Sequence, residues 1–429
     1  MEDIKKKTKY LWFKIFLLCI VLTKIILIYK YNKIKIAIYY ESLKNGGAQR
    51  VTALLINYIS KERKFDVYLF LNQKKVENEY ITPINVKRRY FRRGIENLKK
   101  YLIKNNINII IYQLYNVDEI RFLNNLKQIK TIIIIHCCFL SWIYLGEYGL
   151  IKKIYNEYKN SKYIVSLIPF ENDFLFKKWG INSILLNNFI TYDYDSITPS
   201  DLSSKTILMI GRASDKRKRF SLGIKAMEYI IKEIPECEMK IIAENIEVQN
   251  LIDLVGKLKL EKNIKFVGYT NNPSIHFKNA SLNIIPSSTE SFSMVLCETK
   301  AYGIPNIITG INYITPAKGG VINIIDDDPK TIAKEAVKIL NNEKYRKQLG
   351  KEARQSMSIF KNSLTLKKWT ELIIAVYKGD IYYQQLKEKN KKISETEAMT
   401  ILETQLKLLK TRNDTFKNLT VDKLIQFLN

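Results

Sequence analysis

From Ile34 onward the chain alternates between short, unbroken apolar runs and longer stretches with helical spacing. The first run, IKIAIYY, precedes GGAQRVTALLINYISK, in which Val51, Leu54, Leu55, Tyr58 and Ile59 fall on one helical face. DVYLFL, INIIIYQ, KTIIIIH, KYIVSLI and SILLNN follow, with polar or helical stretches between them. Runs that are apolar at every position, not every second one, belong to strands covered on both faces, as in a parallel sheet flanked by helices. TYDYDSITPSDLSSK (191–205) is polar, turn-rich and aperiodic, and reads as a linker. The pattern then restarts: strand TILMIG, helix RFSLGIKAMEYIIKEI, strand EMKIIA, helix VQNLIDLVGKLKL, strands NIKFVG and ASLNIIPS, a further helix, and strand PNIIT. Two more helical segments and a charged, Leu-spaced tail complete the chain. The pattern predicts an α/β protein of two doubly wound, Rossmann-like domains, 34–190 and 206–378, joined by the linker 191–205 and followed by a helical tail over 379–429.

Residues 1–33 stand apart. A basic start leads into an apolar run from about Leu11 to Tyr29, interrupted by Lys14 and Lys24. The run is long enough to span a bilayer, and lysines near its ends can snorkel. No small-residue cleavage site follows, so a hydrophobic helix serving as a membrane anchor, spanning or lying in the interface, is expected over a removable signal peptide. Lysines flank both ends, so charge does not set the orientation.

The length of 429 residues agrees with two cores, and 46% hydrophobic with 26% charged residues excludes a disordered chain. The five cysteines, Cys19, Cys137, Cys138, Cys237 and Cys297, show no C-x-x-C spacing, which argues against a disulfide framework or zinc site and for a reducing compartment. Two histidines, His136 and His276, are too few for a metal centre built on imidazoles. A net charge of +28 suits solvated lysine-rich faces, attraction to anionic lipid, or nucleic-acid binding. No RNP, zinc-finger or helix-turn-helix pattern supports the last.

In open α/β sheets ligands bind beyond the carboxyl ends of the strands. Gly46 and Gly47 lie between the first strand and its helix, where glycines admit a phosphate to backbone N–H groups or simply form a tight turn. They are not part of G-x-G-x-x-G, so no dinucleotide site is indicated. Arg212 follows the first strand of the second half directly, with Lys216, Arg217, Lys218 and Arg219 before the next helix. Such a cluster either neutralises a diphosphate or forms an exposed basic loop. In PSSTESFSMVLCETKAYGIP (286–305), Ser293, Met294 and Val295 put backbone amides at a helix start. Glu290 precedes that start and accepts hydrogen bonds in the cleft. Glu298 lies on the buried side, where an unpaired carboxylate is costly; a vicinal diol such as ribose, or a neighbouring lysine, would satisfy it.

Glu290 and Glu298, placed after IIPS and before AYGIP, resemble the E-x7-E element of retaining glycosyltransferases of the GT-B fold, glycosyltransferase family 4. GRASDKRKRFSLGIKAM resembles that family's G-R…K-x-F…A element, with Arg212 and Lys218 on its diphosphate-binding Arg and Lys. GGAQRV resembles its Gly-Gly turn, and LLNNFI, with Asn188 on the usual Asn, resembles its segment before the linker. His136 matches the family's cleft histidine, although Cys137 stands where Asp is frequent, and Phe292-Ser293 replaces a frequent Phe-Gly, a position where Ser still suits a helix cap. His276 reads as structural.

The resemblance implies two domains facing across a cleft and a nucleoside-diphosphate sugar as donor, with no cofactor and no metal. Glu298 would hold the donor ribose, and Glu290 the hydroxyls of a hexose-type sugar. Arg212, Lys218 and the helix start at Ser293, Met294 and Val295 would hold the diphosphate, and His136 the sugar or acceptor. The acceptor would be a glycan or lipid-linked molecule. With the N-terminal anchor, this implies the cytoplasmic side of a membrane and no nucleic-acid partner. Two other functions share the pattern: a non-catalytic subunit that binds nucleotide sugars or glycans, and a sugar-nucleotide epimerase, which would want further acid/base carboxylates.

Overall fold

The computed structural model describes residues 33–428 except 45, 74–78, 91–93, 245–247, 271, 389–392 and 413–415. The anchor expected over residues 1–33 lies, apart from its last residue, outside the described residues. Among the described residues no helix is long and apolar enough to cross a membrane.

The first sheet has seven parallel strands: β1 (Ile34–Tyr40), β2 (Phe65–Leu71), β3 (Lys87–Tyr90), β4 (Ile109–Tyr112), β5 (Lys130–Ile134), β6 (Tyr163–Ser166) and β7 (Ser183–Leu185), in the order β3-β2-β1-β4-β5-β6-β7. Ile36, Ala37, Ile38 and Tyr39 in β1 are all fully buried, although successive side chains point to opposite faces. Helices therefore cover both sides, as the continuous apolar runs predict. β3 was not foreseen. Its sequence, KRRY, is polar because it closes an edge, where side chains face water and only one neighbour supplies backbone partners.

The second sheet has six parallel strands: β8 (Thr206–Ile210), β9 (Glu238–Ile242), β10 (Ile264–Phe266), β11 (Leu282–Ile285), β12 (Asn306–Thr309) and β13 (Val321–Ile324), in the order β10-β9-β8-β11-β12-β13. The edge strand β13 also escaped the sequence reading; it is short and only partly buried. Strand order reverses beside the first strand in both sheets, between β1 and β4 and between β8 and β11. Those switch points are where crevices open in doubly wound folds.

Apolar contact joins the two halves. Ile285, Phe292, Leu296, Ile308 and Tyr313 of the second half belong to the same packed cluster as the first-domain core. Phe170 meets Tyr313 edge-on, with ring centroids 5.4 Å apart. The helix Asn362–Lys378 returns to the first domain, where Trp369, Leu372, Ile373 and Val376 enter its core. Asn362 pins this return through both the N–H and the C=O of Ile190, each at 3.1 Å. The range 206–378 read as one domain thus includes a helix packed into the other. Among the described residues three helices follow, Asp380–Glu388, Glu395–Arg412 and Val421–Leu428. The leucine spacing of the tail is explained by burial of Leu402, Leu406 and Leu409 in that same core.

Candidate active site

The first-domain side of the cleft is built on the ends of β1, β4 and β5. Gly46 has φ 130°, so the backbone favours glycine; the atom a Cβ would meet, Gln49 Oε1 at 2.4 Å, is the end of a side chain that can swing aside. Gly46 heads the helix Gly47–Ile59. A Cβ on Gly47 would lie 3.8 Å from Met294 Cγ, so this helix start faces the second-domain helix start across the cleft. His136 follows β5, with Nε2 2.7 Å from Gln113 Oε1, which also accepts from Thr52 Oγ1 at 2.9 Å. In this arrangement the imidazole carries its proton on Nε2. Burial pushes its pKa down to about 4, so it is neutral at pH 7. Its orienting partner is an amide from the neighbouring strand.

On the opposite side β8 leads into Gly211 and Arg212. Arg212 is exposed and reaches Asp215 Oδ2 at 3.3 Å. Asp215 caps the short turn Lys216–Lys218 by accepting from Arg217 N–H at 3.1 Å and is clasped by the Arg217 guanidinium at 2.9 and 2.8 Å. Burial works against the Asp215 charge, but Arg217, then Lys218 and Arg212, outweigh it and hold the pKa at about 2. The basic run therefore divides its tasks. Arg217 braces the loop. Arg219, at φ 45°, turns away to Asp327 at 2.6 and 2.9 Å. Lys218 faces the cleft, with Nζ 2.6 Å from Glu290 Oε1.

Glu290 is fixed at three points: Lys218, Ser287 Oγ donating at 2.8 Å, and its own N–H donating to Tyr313 OH at 3.0 Å. Ser293 precedes the helix Met294–Ala301 at φ 60°, and its hydroxyl makes no capping bond. The capping role expected from sequence is thus not what Ser293 does: it occupies the left-handed position that a glycine fills without strain. The amides of the first helical turn, which have no intrahelical acceptors, open toward the cleft.

The Glu298 side chain is 1% exposed. Its partners are Arg50 Nη1 at 2.6 Å and the Thr191 hydroxyl, both on one oxygen. The neighbouring lysine considered from sequence is replaced by an arginine from the other domain. Burial disfavours the Arg50 charge, but Glu298 and Tyr80 together more than offset this and hold the guanidinium protonated. Arg50 also lies over the Tyr80 ring, 5.3 Å from its centroid.

The structure brings together every site residue singled out from sequence. Gly46, Gly47, His136, Arg212, Lys218, Glu290, Ser293, Met294, Val295 and Glu298 all line one cleft of about 480 Å³. Cys138 N–H donating to Ser291 Oγ at 2.9 Å, and Ser141 Oγ 2.8 Å from Thr289 Oγ1, close its floor between domains. His276 ends a short 3-10 turn outside it. Missed from sequence were Arg50, Thr191, Gln113 and Asp215. Arg50 lay within the GGAQRV motif, one helical turn past the glycines, and Asp215 between the two matched cations. Thr191 was concealed in a stretch read only as linker.

Residues 193–356 match the glycosyl transferases group 1 family. Among curated relatives, the chain is 26% identical over 326 residues to the N-acetylgalactosamine-N,N'-diacetylbacillosaminyl-diphospho-undecaprenol 4-alpha-N-acetylgalactosaminyltransferase of Campylobacter jejuni, covering 68% of this chain and 84% of the relative. The first curated relatives are matched over half of their length or less. Among solved structures, sucrose-phosphate synthase from Thermosynechococcus elongatus superposes with a TM-score of 0.68 at 15% identity, covering 80% of this chain and 99% of that one. The Anabaena protein Alr3699/HepE, in complex with UDP and glucose, superposes with a TM-score of 0.63 at 13% identity over 80% and 99%. The second domain is thus similar to the glycosyl transferases group 1, and the two facing parallel-sheet domains share the GT-B fold of these solved structures.

Proposed function

We propose that the chain transfers a hexose-type sugar from a nucleoside-diphosphate sugar to a glycan or lipid-linked acceptor, with retention of anomeric configuration and without a metal ion. The observation that carries this reading is the convergence of Arg212, Lys218, Glu290, Glu298 and His136 on one interdomain cleft. Two carboxylates there have separate surroundings, so they serve separate parts of a donor. Glu298, with Arg50 and Thr191, takes the ribose end, and Glu290, oriented by Lys218 and Ser287, takes the sugar hydroxyls. Negative charge grows on the diphosphate as the glycosidic bond breaks. Arg212, Lys218 and the amides at the start of the helix Met294–Ala301 meet it with fixed positive charge and dipole. The departing phosphate oxygen then takes the acceptor proton as the new bond forms on the same face. Neutral His136, with its Nε2–H held by Gln113, offers Nδ1 as a hydrogen-bond acceptor to the sugar or acceptor from the first domain.

The names of the similar proteins agree with this chemistry. The Campylobacter relative is named for transfer of a sugar to a diphospho-undecaprenol-linked acceptor, and the Anabaena structure holds UDP and glucose. The apolar run in residues 1–33 supports placing the acceptor at a membrane, and the lack of C-x-x-C spacing among the five cysteines suits the reducing, cytoplasmic side.

The test is binding and turnover of a panel of nucleotide sugars by wild type, Glu298→Ala and Arg212→Ala, with and without EDTA. The expected outcome is one donor that stabilises the wild type and slowly releases free nucleotide in EDTA, with both variants losing this. Binding without turnover, even with candidate acceptors, would favour the non-catalytic subunit. Binding of no nucleotide sugar would overturn the assignment.

A further inference from the structure

We propose that Arg412, at the end of the tail helix Glu395–Arg412, is a positioning residue for the loop that carries Glu290. The role assigned to Glu290 rests on the function proposed above; the structural coupling does not. The helix lies outside both sheets and outside the matched residues 193–356. Its guanidinium side chain is 3% exposed. Nε and Nη2 grip the two oxygens of Asp327 at 2.6 and 2.9 Å. Nη1 donates to the Ser288 carbonyl at 2.8 Å, and Nη2 also donates to the Thr309 carbonyl at 3.0 Å. A buried side chain that spends every bond on a carboxylate and two main-chain carbonyls is fixing backbone.

Ser288 stands two residues before Glu290. The same loop is tied by Arg219 Nε to the Pro286 carbonyl at 2.7 Å, by Thr309 Oγ1 to the Ser287 carbonyl at 3.1 Å, and by Ser288 N–H to the Arg217 carbonyl at 2.8 Å. Three of these four ties come from the second domain itself; the Arg412 tie comes from the tail. Arg219 and Arg412 share Asp327, so the residue that heads the next helix and the tail are locked to one carboxylate.

The other contacts of the tail helix lie on both domains. Glu395 pairs with Lys178 of the first domain at 3.0 Å, and Leu402, Leu406 and Leu409 pack in the first-domain core. Gln405 Nε2 donates to the Gly310 carbonyl at 2.6 Å, next to Thr309. One helix thus carries the position of the first domain to the loop beside the second-domain site. Arg412 does not line the cleft, so it acts through Glu290's loop.

The experiment compares full-length wild type, Arg412→Gln and Arg412→Lys in two measurements. Hydrogen exchange of the peptide spanning 286–293 needs no ligand. It is expected to speed up about tenfold in Arg412→Gln, equivalent to ~1.4 kcal/mol of local opening, with peptides of β8 unchanged. Turnover of UDP-glucose, UDP-N-acetylgalactosamine, GDP-mannose and ADP-glucose reads the consequence. For whichever donor the wild type uses, kcat falls about tenfold while KM and the affinity for the bare nucleotide stay within about threefold. Arg412→Lys keeps one charge on Asp327 but loses the fork, and lies between the two in both measurements.

Unchanged exchange at 286–293 in the folded variants overturns the proposal. So does an equal loss of bare-nucleotide affinity, or failure of both variants to fold, since Arg412 would then serve stability alone. If the wild type turns over no donor, the function proposed above fails, and the exchange measurement still decides whether Arg412 holds the loop.

Discussion

At the scale of single residues, the buried pair Arg50–Glu298 is costly to disturb. Taking away one partner strands a buried charge, which costs about 3–5 kcal/mol. Arg50→Met is therefore expected to lower stability in urea by about 3 kcal/mol, and Arg50→Met/Glu298→Gln to recover most of that. Simple additivity of the two single losses would show that the pair is not coupled. Ser293 carries strain of the opposite sign: at φ 60°, Ser293→Gly is expected to raise stability by up to ~1 kcal/mol. A loss on that substitution would mean that the hydroxyl makes a stabilising contact worth more than the strain. Glu171 accepts from Phe139 N–H at 2.7 Å, and burial pushes its pKa up to about 8. Between its ordinary value of 4.5 and about 8 the unfolded chain has released this proton and the folded chain still holds it. Stability conferred by this group therefore falls as pH rises through that window, by on the order of 1 kcal/mol per unit. Glu171→Gln is expected to flatten the slope in denaturation curves taken from pH 5 to 8. His136 works in the other direction and lower down: held neutral by burial, it makes the protein less stable as pH falls from 6.5 towards about 4.

At the scale of elements, helix-to-backbone approach decides which glycines matter. Gly350 lies in the helix Glu343–Ser356, where alanine would ordinarily gain about 1 kcal/mol. A Cβ there would sit 2.4 Å from the Gly303 carbonyl oxygen, a main-chain atom that cannot swing aside. Gly350→Ala is expected to destabilise by about 1–3 kcal/mol despite its propensity. Gly256, in the helix Gln249–Lys257, is the control. Its Cβ would meet only Glu261 Oε1 at 3.7 Å, so Gly256→Ala is expected to stabilise by up to ~1 kcal/mol. Melting temperatures of the two variants check both signs. The strands buried on both faces were plain from their unbroken apolar runs. β3 and the left-handed backbone of Ser293 were not, because an edge strand can be polar and a left-handed serine leaves no periodic trace.

At the scale of the whole molecule, the net charge of +28 and the apolar N-terminal run act by different physics. Screening lengths shrink from about 10 Å at 0.1 M salt to about 3 Å at 1 M, while apolar burial is not weakened by salt in this way. Binding to anionic vesicles is therefore expected to weaken with salt but persist at 1 M for the full chain, and to vanish at 1 M for residues 34–429. Equal retention by both in a flotation assay would place the membrane contact elsewhere. The two sheet domains are further held together by the cleft-floor bonds, by the returning helix Asn362–Lys378 and by the tail.

Sequence alone determined the two parallel-sheet domains and many of the residues that converge on the cleft, though not Arg50 or Asp215. Apolar periodicity reports burial, and strand ends are where α/β folds place ligands. Only the tertiary structure decided how those residues are paired. Glu298 meets Arg50 across 248 positions, and Arg412 reaches Ser288 across 124. Lys218, not Arg217, faces Glu290 because Asp215 holds Arg217 back. Partners so distant in the chain are chosen by how the domains and the tail pack. Local pattern records that a charge is buried but not which opposite charge the fold will bring to it.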